Sequence, residues 1–147
     1  MLNIYGYYVK NTAITYEYEI PTLEEFQNII LNTLKRYTYL VAELNGEIIG
    51  YVYAGQFQSR PGYAWDAEMT IYLRHDMRGK KVGEKLYTLL GRILYEQGVV
   101  KVIALITPTK QSRTIQFITV CIFMRKWDTA LQDVLKTAGI SLISGMT

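Results

Sequence analysis

One cysteine, one histidine and three prolines in 147 residues are what this chain has little of, and each scarcity removes a class of explanation. A lone Cys121 cannot close an internal disulfide, so the fold does not rest on covalent staples. With His75 and Cys121 each single of their kind, the ligand clusters that hold zinc cannot be assembled, and no metal is expected. No apolar run approaches the roughly 20 residues of a membrane-spanning helix. The opening MLNIYGYYVK also lacks the basic region and apolar core of a secretory signal. A chain in the cytoplasm, away from the membrane, is therefore expected. No repeat, low-complexity tract or linker divides it. A large charge excess is missing too: the formal net charge is +3, too small to demand nucleic acid.

What is present is the material of one globular domain. Half the residues are apolar and a fifth charged, enough to build a single core at this length. Thirteen tyrosines point to amphipathic surfaces or a lined cleft. Thr22 followed by Glu25 forms a capping-box signature, and Leu23, Phe26, Ile29, Ile30 and Leu34 then recur on one helical face, predicting a helix from about Leu23 to Lys35. YLVAEL and EIIGYVYAGQF flank the turn pair Asn45-Gly46 and predict a hairpin. QSRPGY is a loop, WDAEMTIYL alternates as a strand, and a second amphipathic helix begins at Val82 and closes at Gly98 before the strand-like VVKVIALIT. Strand, loop, helix, strand is a βαβ unit, so its two strands should run parallel. Beyond Thr107 the pattern fits no clear continuation, although IQFITVCIFM has strand composition.

The stretch with chemical content is the basic, glycine-bearing loop RGKKVG, which opens the second amphipathic helix. Such a loop offers unpaired backbone N–H groups to an anion, and the helix dipole with Arg78, Lys80 and Lys81 adds to the attraction. A pyrophosphate fits; a solvated basic turn capped by glycine fits equally on this stretch alone. It is neither a phosphate-binding loop ending in Gly-Lys-Ser/Thr nor a dinucleotide fingerprint. Aromatic and basic residues do not interleave there as base stacking needs, which argues against a nucleic-acid partner.

RGKKVGEKLY resembles the acetyl-CoA loop of the GNAT superfamily of N-acetyltransferases, in the wording of its phosphinothricin acetyltransferase branch. NTAITYEYEIPTLEEF, YLVAELNGEIIGYVYAGQF, RPGYAW and WDAEMTIYL resemble the same branch in the same order, so the likeness covers about Leu2 to Thr107. The resemblance implies an α/β (α+β) fold, a mixed central sheet flanked by helices, in one domain over residues 1–147 with an atypical segment 108–147. It also implies acetyl-CoA as acetyl donor and a small amino-acid-like amine as acceptor, of the phosphinothricin or methionine sulfone type. Pantetheine would lie in a V-shaped opening between two parallel strands and pair with backbone around Ile71, Tyr72 and Leu73. Arg78, Gly79, Lys80, Lys81, Val82, Gly83 and Glu84 would hold the pyrophosphate, although Lys81 stands where the family has glycine. Thr109 and Ser112 align with a further cofactor stretch, Thr109 replacing its Asn. Glu68, in the pattern Trp65-x-x-Glu68, would be the general base. Arg60 and Tyr63 would face the substrate.

Both ends depart from the family. The chain opens inside what matches the first helix, so the first strand is expected to be missing. Toward the other end the family blocks are absent as written. Read one nucleotide earlier, however, Trp127-Asp128 must encode glycine and Met146-Thr147 aspartate, and permitted codons yield both missing blocks. The coding frame is expected to slip between about Thr107 and Thr119, removing the family's aromatic general acid and final strand. A catalytically impaired remnant that only binds CoA is the alternative. Open sheet edges would recruit partners, and IQFITVCIFM is expected to add a strand, to its own sheet or to a second copy in a homodimer.

Overall fold

The computed structural model describes residues 1–106 and 118–123, the latter six and residue 106 by backbone alone. Thr109, Ser112 and most of the stretch in which the frame is expected to slip lie outside the described residues.

Helices α1 (Leu2–Asn11) and α2 (Leu23–Leu34) come first, followed by the strands β1 (Tyr39–Leu44), β2 (Glu47–Gln56) and β3 (Asp66–Leu73). Helix α3 (Val82–Glu96) then leads to β4 (Lys101–Ile106) and β5 (Ile118–Phe123). The five strands form one sheet in the order β1-β2-β3-β4-β5. β1, β2 and β3 pair antiparallel, β3 and β4 parallel, and β4 and β5 antiparallel, so the sheet is mixed as expected.

Local chemistry accounts for the boundaries. The Thr22 hydroxyl accepts from the Glu25 N–H at 3.2 Å and the Glu25 carboxylate accepts from the Thr22 N–H at 2.7 Å, which completes the capping box of α2. Asn45 and Gly46 both take positive φ, 53° and 80°, as a two-residue hairpin turn requires. Gly98 at φ 81° ends α3: its N–H bonds to the Tyr95 carbonyl and that of Val99 to the Leu94 carbonyl, the pairing of a Schellman cap.

The sheet has two covered faces. On one, Leu86, Leu90 and Leu94 of α3 pack against Val52, Ala54, Ala67, Met69, Val102 and Ala104. On the other, Ile4 and Tyr8 of α1 and Phe26 of α2 pack against Tyr51 and Tyr72. The expected apolar face of α2 is only partly used. Phe26 is buried, whereas Leu23 and Leu34 are 61% and 49% exposed and Ile29 is 49% exposed. Periodicity reports that a helix has an apolar face, not how much of that face a neighbour covers.

IQFITVCIFM supplies a strand to its own sheet: Ile118–Phe123 runs beside β4, in register from Lys101 opposite Phe123 to Ile106 opposite Ile118.

Candidate active site

β3 and β4 are paired only from Asp66 opposite Lys101 to Glu68 opposite Ile103. Past Glu68 the two strands separate, while β3 keeps β2 on its other side as far as Leu73. The opening expected between them therefore begins at Glu68.

The direction of the backbone groups follows from a few bonds. The Arg74 N–H donates to the Ile49 carbonyl at 2.8 Å, and the Val100 N–H donates to the Trp65 carbonyl at 2.8 Å. Strand groups alternate in direction, so Glu68, Thr70 and Tyr72 turn their backbone toward β2, and Met69, Ile71 and Leu73 turn theirs into the opening. Two side chains already reach that edge: the Tyr87 hydroxyl lies 3.5 Å from the Met69 carbonyl, and the Tyr8 hydroxyl donates to the Leu73 carbonyl at 2.5 Å. Of the three residues expected to offer backbone, Ile71 does so at both groups and Leu73 at its N–H. Tyr72 does not, and its side chain is instead buried among the aromatic rings of the other face.

Glu68 is half-buried, and burial pushes its carboxyl above the ordinary range, with no cation among the described residues contributing. The ionisable groups that sense it are Tyr53 of β2, Tyr72 of β3 and Tyr87 of α3. Burial raises all three phenols, so they remain protonated at neutral pH. The wall beside them is aromatic throughout. The Tyr39 and Tyr53 rings stack at 4.5 Å, Tyr5 meets Tyr72 edge-on at 5.3 Å, and Tyr51 lies 5.5 Å from Tyr72. Tyr51 and Tyr53, alternating along β2, divide as core and cleft: Tyr51 is 1% exposed and Tyr53 partly exposed.

The basic loop sits at the other end of the opening. Gly79 at φ 76° and Lys81 at φ 60° turn the chain into α3, so Lys81 adopts the left-handed conformation that glycine prefers. No side chain caps α3, in contrast to α2, and the N–H groups of Val82, Gly83 and Glu84 precede the first intrahelical bond, from Lys85 to the Lys81 carbonyl. Gly83 is buried, while Arg78 and Lys80 are exposed. The Arg78 guanidinium also lies 5.9 Å from the Tyr8 ring centre. Glu84 has one carboxylate oxygen buried without a hydrogen-bond partner among the described residues. The residues present fit a pyrophosphate: three N–H donors, the helix dipole and the cations Arg78, Lys80 and Lys81 belong to one short loop, and among the described residues no group bonds to those donors.

Arg60 and Tyr63 bracket a short 3₁₀ turn, Pro61–Tyr63, before β3. Arg60 is exposed; Tyr63 packs edge-on against Phe57 at 5.6 Å, with the Lys101 ammonium 5.9 Å from its ring. His75 is exposed in the 3₁₀ turn His75–Met77 and stacks on Tyr7 at 4.6 Å. The residues that sequence reasoning missed are Tyr8 and Tyr87, whose hydroxyls meet the free edge, and the ion pair of Asp66 with Lys101 at 2.7 Å. Only that pair left a signal: Asp66 alternates with Glu68, and a parallel partner strand begins at Lys101.

The acetyltransferase (GNAT) domain family model matches residues 1–122, and the chain belongs to that family. A phosphinothricin N-acetyltransferase of Streptomyces viridochromogenes is 32% identical over 104 residues, covering 71% of this chain and 57% of that protein. Another from Alcaligenes faecalis is 32% identical over 91 residues, 60% of this chain and 46% of that one. The chain thus spans about half the length of the curated relatives it matches. Among solved structures, a GNAT superfamily phosphinothricin acetyltransferase from Sinorhizobium meliloti in complex with AcCoA matches at 33% identity and TM-score 0.68, over 71% of this chain and 57% of that one. A ribosomal-protein-alanine N-acetyltransferase from Brucella melitensis matches at 29% identity and TM-score 0.70, over 72% and 66%.

Proposed function

We propose that this chain is a single domain that binds acetyl-CoA and transfers acetyl to the primary amine of a small amino-acid-like substrate. The observation that carries this reading is the juxtaposition of a half-buried Glu68 with the point where β3 loses its parallel neighbour. The cofactor supplies an acetyl group activated as a thioester. On the protein side, Ile71 and the Leu73 N–H offer backbone to pantetheine as a neighbouring strand would. The N–H groups of Val82, Gly83 and Glu84, with Arg78, Lys80 and Lys81, hold the pyrophosphate. Thr109 and Ser112 are assigned a lesser cofactor contact, from the resemblance alone. Glu68 accepts a proton from the substrate ammonium, directly or through one water, leaving a neutral amine to attack the thioester carbonyl; the C–S bond breaks as the C–N bond forms, and the amine's second proton leaves with the departing thiol. The raised affinity of Glu68 for protons suits it to that task. The aromatic wall excludes water beside it, and Arg60 and Tyr63 are assigned to the acceptor's far end, where an Arg can pair with a carboxylate.

The phosphinothricin N-acetyltransferases matched above support an acceptor of that kind. No described helix is long and apolar enough to cross a membrane, and a cytoplasmic location is proposed with the activity. A homodimer is proposed as well: among the described residues β1 has no strand on its outer side, and Leu31, Leu34, Val41 and Leu44 are exposed nearby. Calorimetric titration with acetyl-CoA, followed by a thiol-release assay with phosphinothricin and methionine sulfone, tests the reading. Binding with release is expected. Binding without release favours the impaired remnant, for which Lys81 in place of glycine and Thr109 in place of Asn already speak, and absence of binding overturns both.

A further inference from the structure

A phenol stands at each end of the free edge of β3. At the far end the Tyr8 hydroxyl, reaching over from α1, donates to the Leu73 carbonyl at 2.5 Å. At the near end the Tyr87 hydroxyl, reaching over from α3 on the opposite face of the sheet, lies 3.5 Å from the Met69 carbonyl. Both side chains are buried, so each hydroxyl takes a lone pair of its carbonyl and the room in front of it. Met69 to Leu73 covers about 13 Å of strand. Between the two stopped carbonyls, and among the described residues, the groups left facing the opening are the Ile71 N–H, the Ile71 carbonyl and the Leu73 N–H.

We propose that Tyr8 and Tyr87 are positioning residues that set the register in which the pantetheine arm docks on β3. This rests on reading the opening as the acetyl-CoA site. A donor, an acceptor and a donor in that order call for an extended chain that carries both carbonyls and N–H groups, and the thioester and two amides of acetylated pantetheine supply them. Strand pairing repeats every two residues, so a bare edge would accept the same chain displaced by about 6.6 Å. Displacement toward Arg74 needs the Leu73 carbonyl as an acceptor, and Tyr8 holds it. Displacement the other way needs the Met69 carbonyl, and Tyr87 stands over that one. One register is left, with the thioester at the Glu68 end of the opening.

Removing the stops one at a time should let the ligand slip in opposite directions, which a general loss of packing would not do. The probe is S-acetylpantetheine, which carries the thioester and both amides but no pyrophosphate, so that the strand alone sets its place. The full chain labelled with ¹⁵N is titrated with it, and the downfield movement of the Ile71 and Leu73 amide protons on hydrogen bonding is followed by NMR in the wild type, Tyr8→Phe and Tyr87→Phe. Phenylalanine keeps the first ring against Tyr72 and near the Arg78 guanidinium, and the second in the core, so only the hydroxyls are lost. Both protons should move in the wild type. In Tyr8→Phe the Ile71 movement should fall to about half or less, as for two registers of similar energy, with that of Leu73 retained. In Tyr87→Phe the Leu73 movement should fall and that of Ile71 be retained. Movements that fall together in each variant, or in neither, overturn the proposal. If Tyr87→Phe does not fold, Tyr8→Phe decides by itself: a fall confined to Ile71 supports the proposal and any other pattern refutes it. A parallel titration with acetyl-CoA separates the proposal from the reading it rests on. Wild-type amides that respond to neither ligand overturn the acetyl-CoA reading and the stops with it. A wild type that responds to acetyl-CoA but not to S-acetylpantetheine takes its register from the basic loop, and that overturns the stops alone.

Discussion

Glu68 combines two properties that oppose each other. Burial that raises its proton affinity makes it a better base and makes its ionised form a burden on the fold. The sign is definite: with a folded-state midpoint above the unfolded one, its contribution to stability is fully present below the unfolded midpoint and is lost as pH rises through the folded one. At neutral pH, Glu68→Gln should therefore hold or slightly raise the unfolding free energy, by less than about 1 kcal/mol for a half-buried group, and the melting temperature with it. It should lower turnover by roughly 10²–10⁴ with acetyl-CoA affinity unchanged. Thermal melts, calorimetry and the thiol-release assay on one preparation test all three. The wild-type rate should fall on acidification at a pH above the ordinary glutamate range. Lys81 is the other residue under opposing demands. Its left-handed backbone costs about 1–2 kcal/mol in any residue with a β-carbon. Lys81→Gly should raise the unfolding free energy by up to about 1 kcal/mol, read in a urea titration, because part of that strain is exchanged for glycine's chain entropy.

At the level of elements, most of the fold was legible in the sequence. The capping box of Thr22 and Glu25, the Asn45-Gly46 turn and the Gly98 cap each announce a boundary through one local mechanism, and each boundary is where those mechanisms put it. The parallel pairing of β3 with β4 followed from the intervening helix. What local pattern could not carry was tertiary: that α2 would bury Phe26 and leave Leu23, Ile29 and Leu34 exposed, or that Tyr8 of α1 would occupy a carbonyl of β3. The site divides the same way. Glu68 and the RGKKVG loop are marked by sequence, whereas Tyr72, Tyr87 and the Asp66–Lys101 pair take their places from register and packing. The uncapped start of α3 permits a direct test. Gly83→Asp should weaken acetyl-CoA binding at least tenfold, about 1.4 kcal/mol or more, because a carboxylate would then stand among the N–H groups proposed to hold the pyrophosphate. Isothermal titration at two salt concentrations checks this, with the wild type losing affinity as salt rises.

Among the described residues the molecule is a sheet with a helix pair on one face and a single helix on the other, and the coverage is unequal. α3 buries Leu90 and Leu94 completely, while α2 leaves apolar side chains in solvent beside the outer edge of β1. Leu31, Leu34, Val41 and Leu44 are exposed in that region, and a second copy can cover it by extending the sheet. Light scattering across a concentration series should find a dimer or larger assembly. Val41→Lys with Leu31→Lys should shift it toward monomer, and a wild type that stays monomeric at high concentration removes the assembly from the account.

The separation of β3 from β4 beyond Glu68 has a kinetic signature of its own. The amides of Ile71 and Leu73 point into the opening and lack a strand partner among the described residues, whereas those of Tyr72 and Thr70, one position away, are locked to β2. In deuterated solvent the first pair should exchange quickly and the second slowly, a two-residue alternation in protection along one strand. Saturating acetyl-CoA should erase that alternation, since the bound pantetheine would engage the fast amides and leave the slow ones as they were. The strand would then carry its own record of whether the opening is filled.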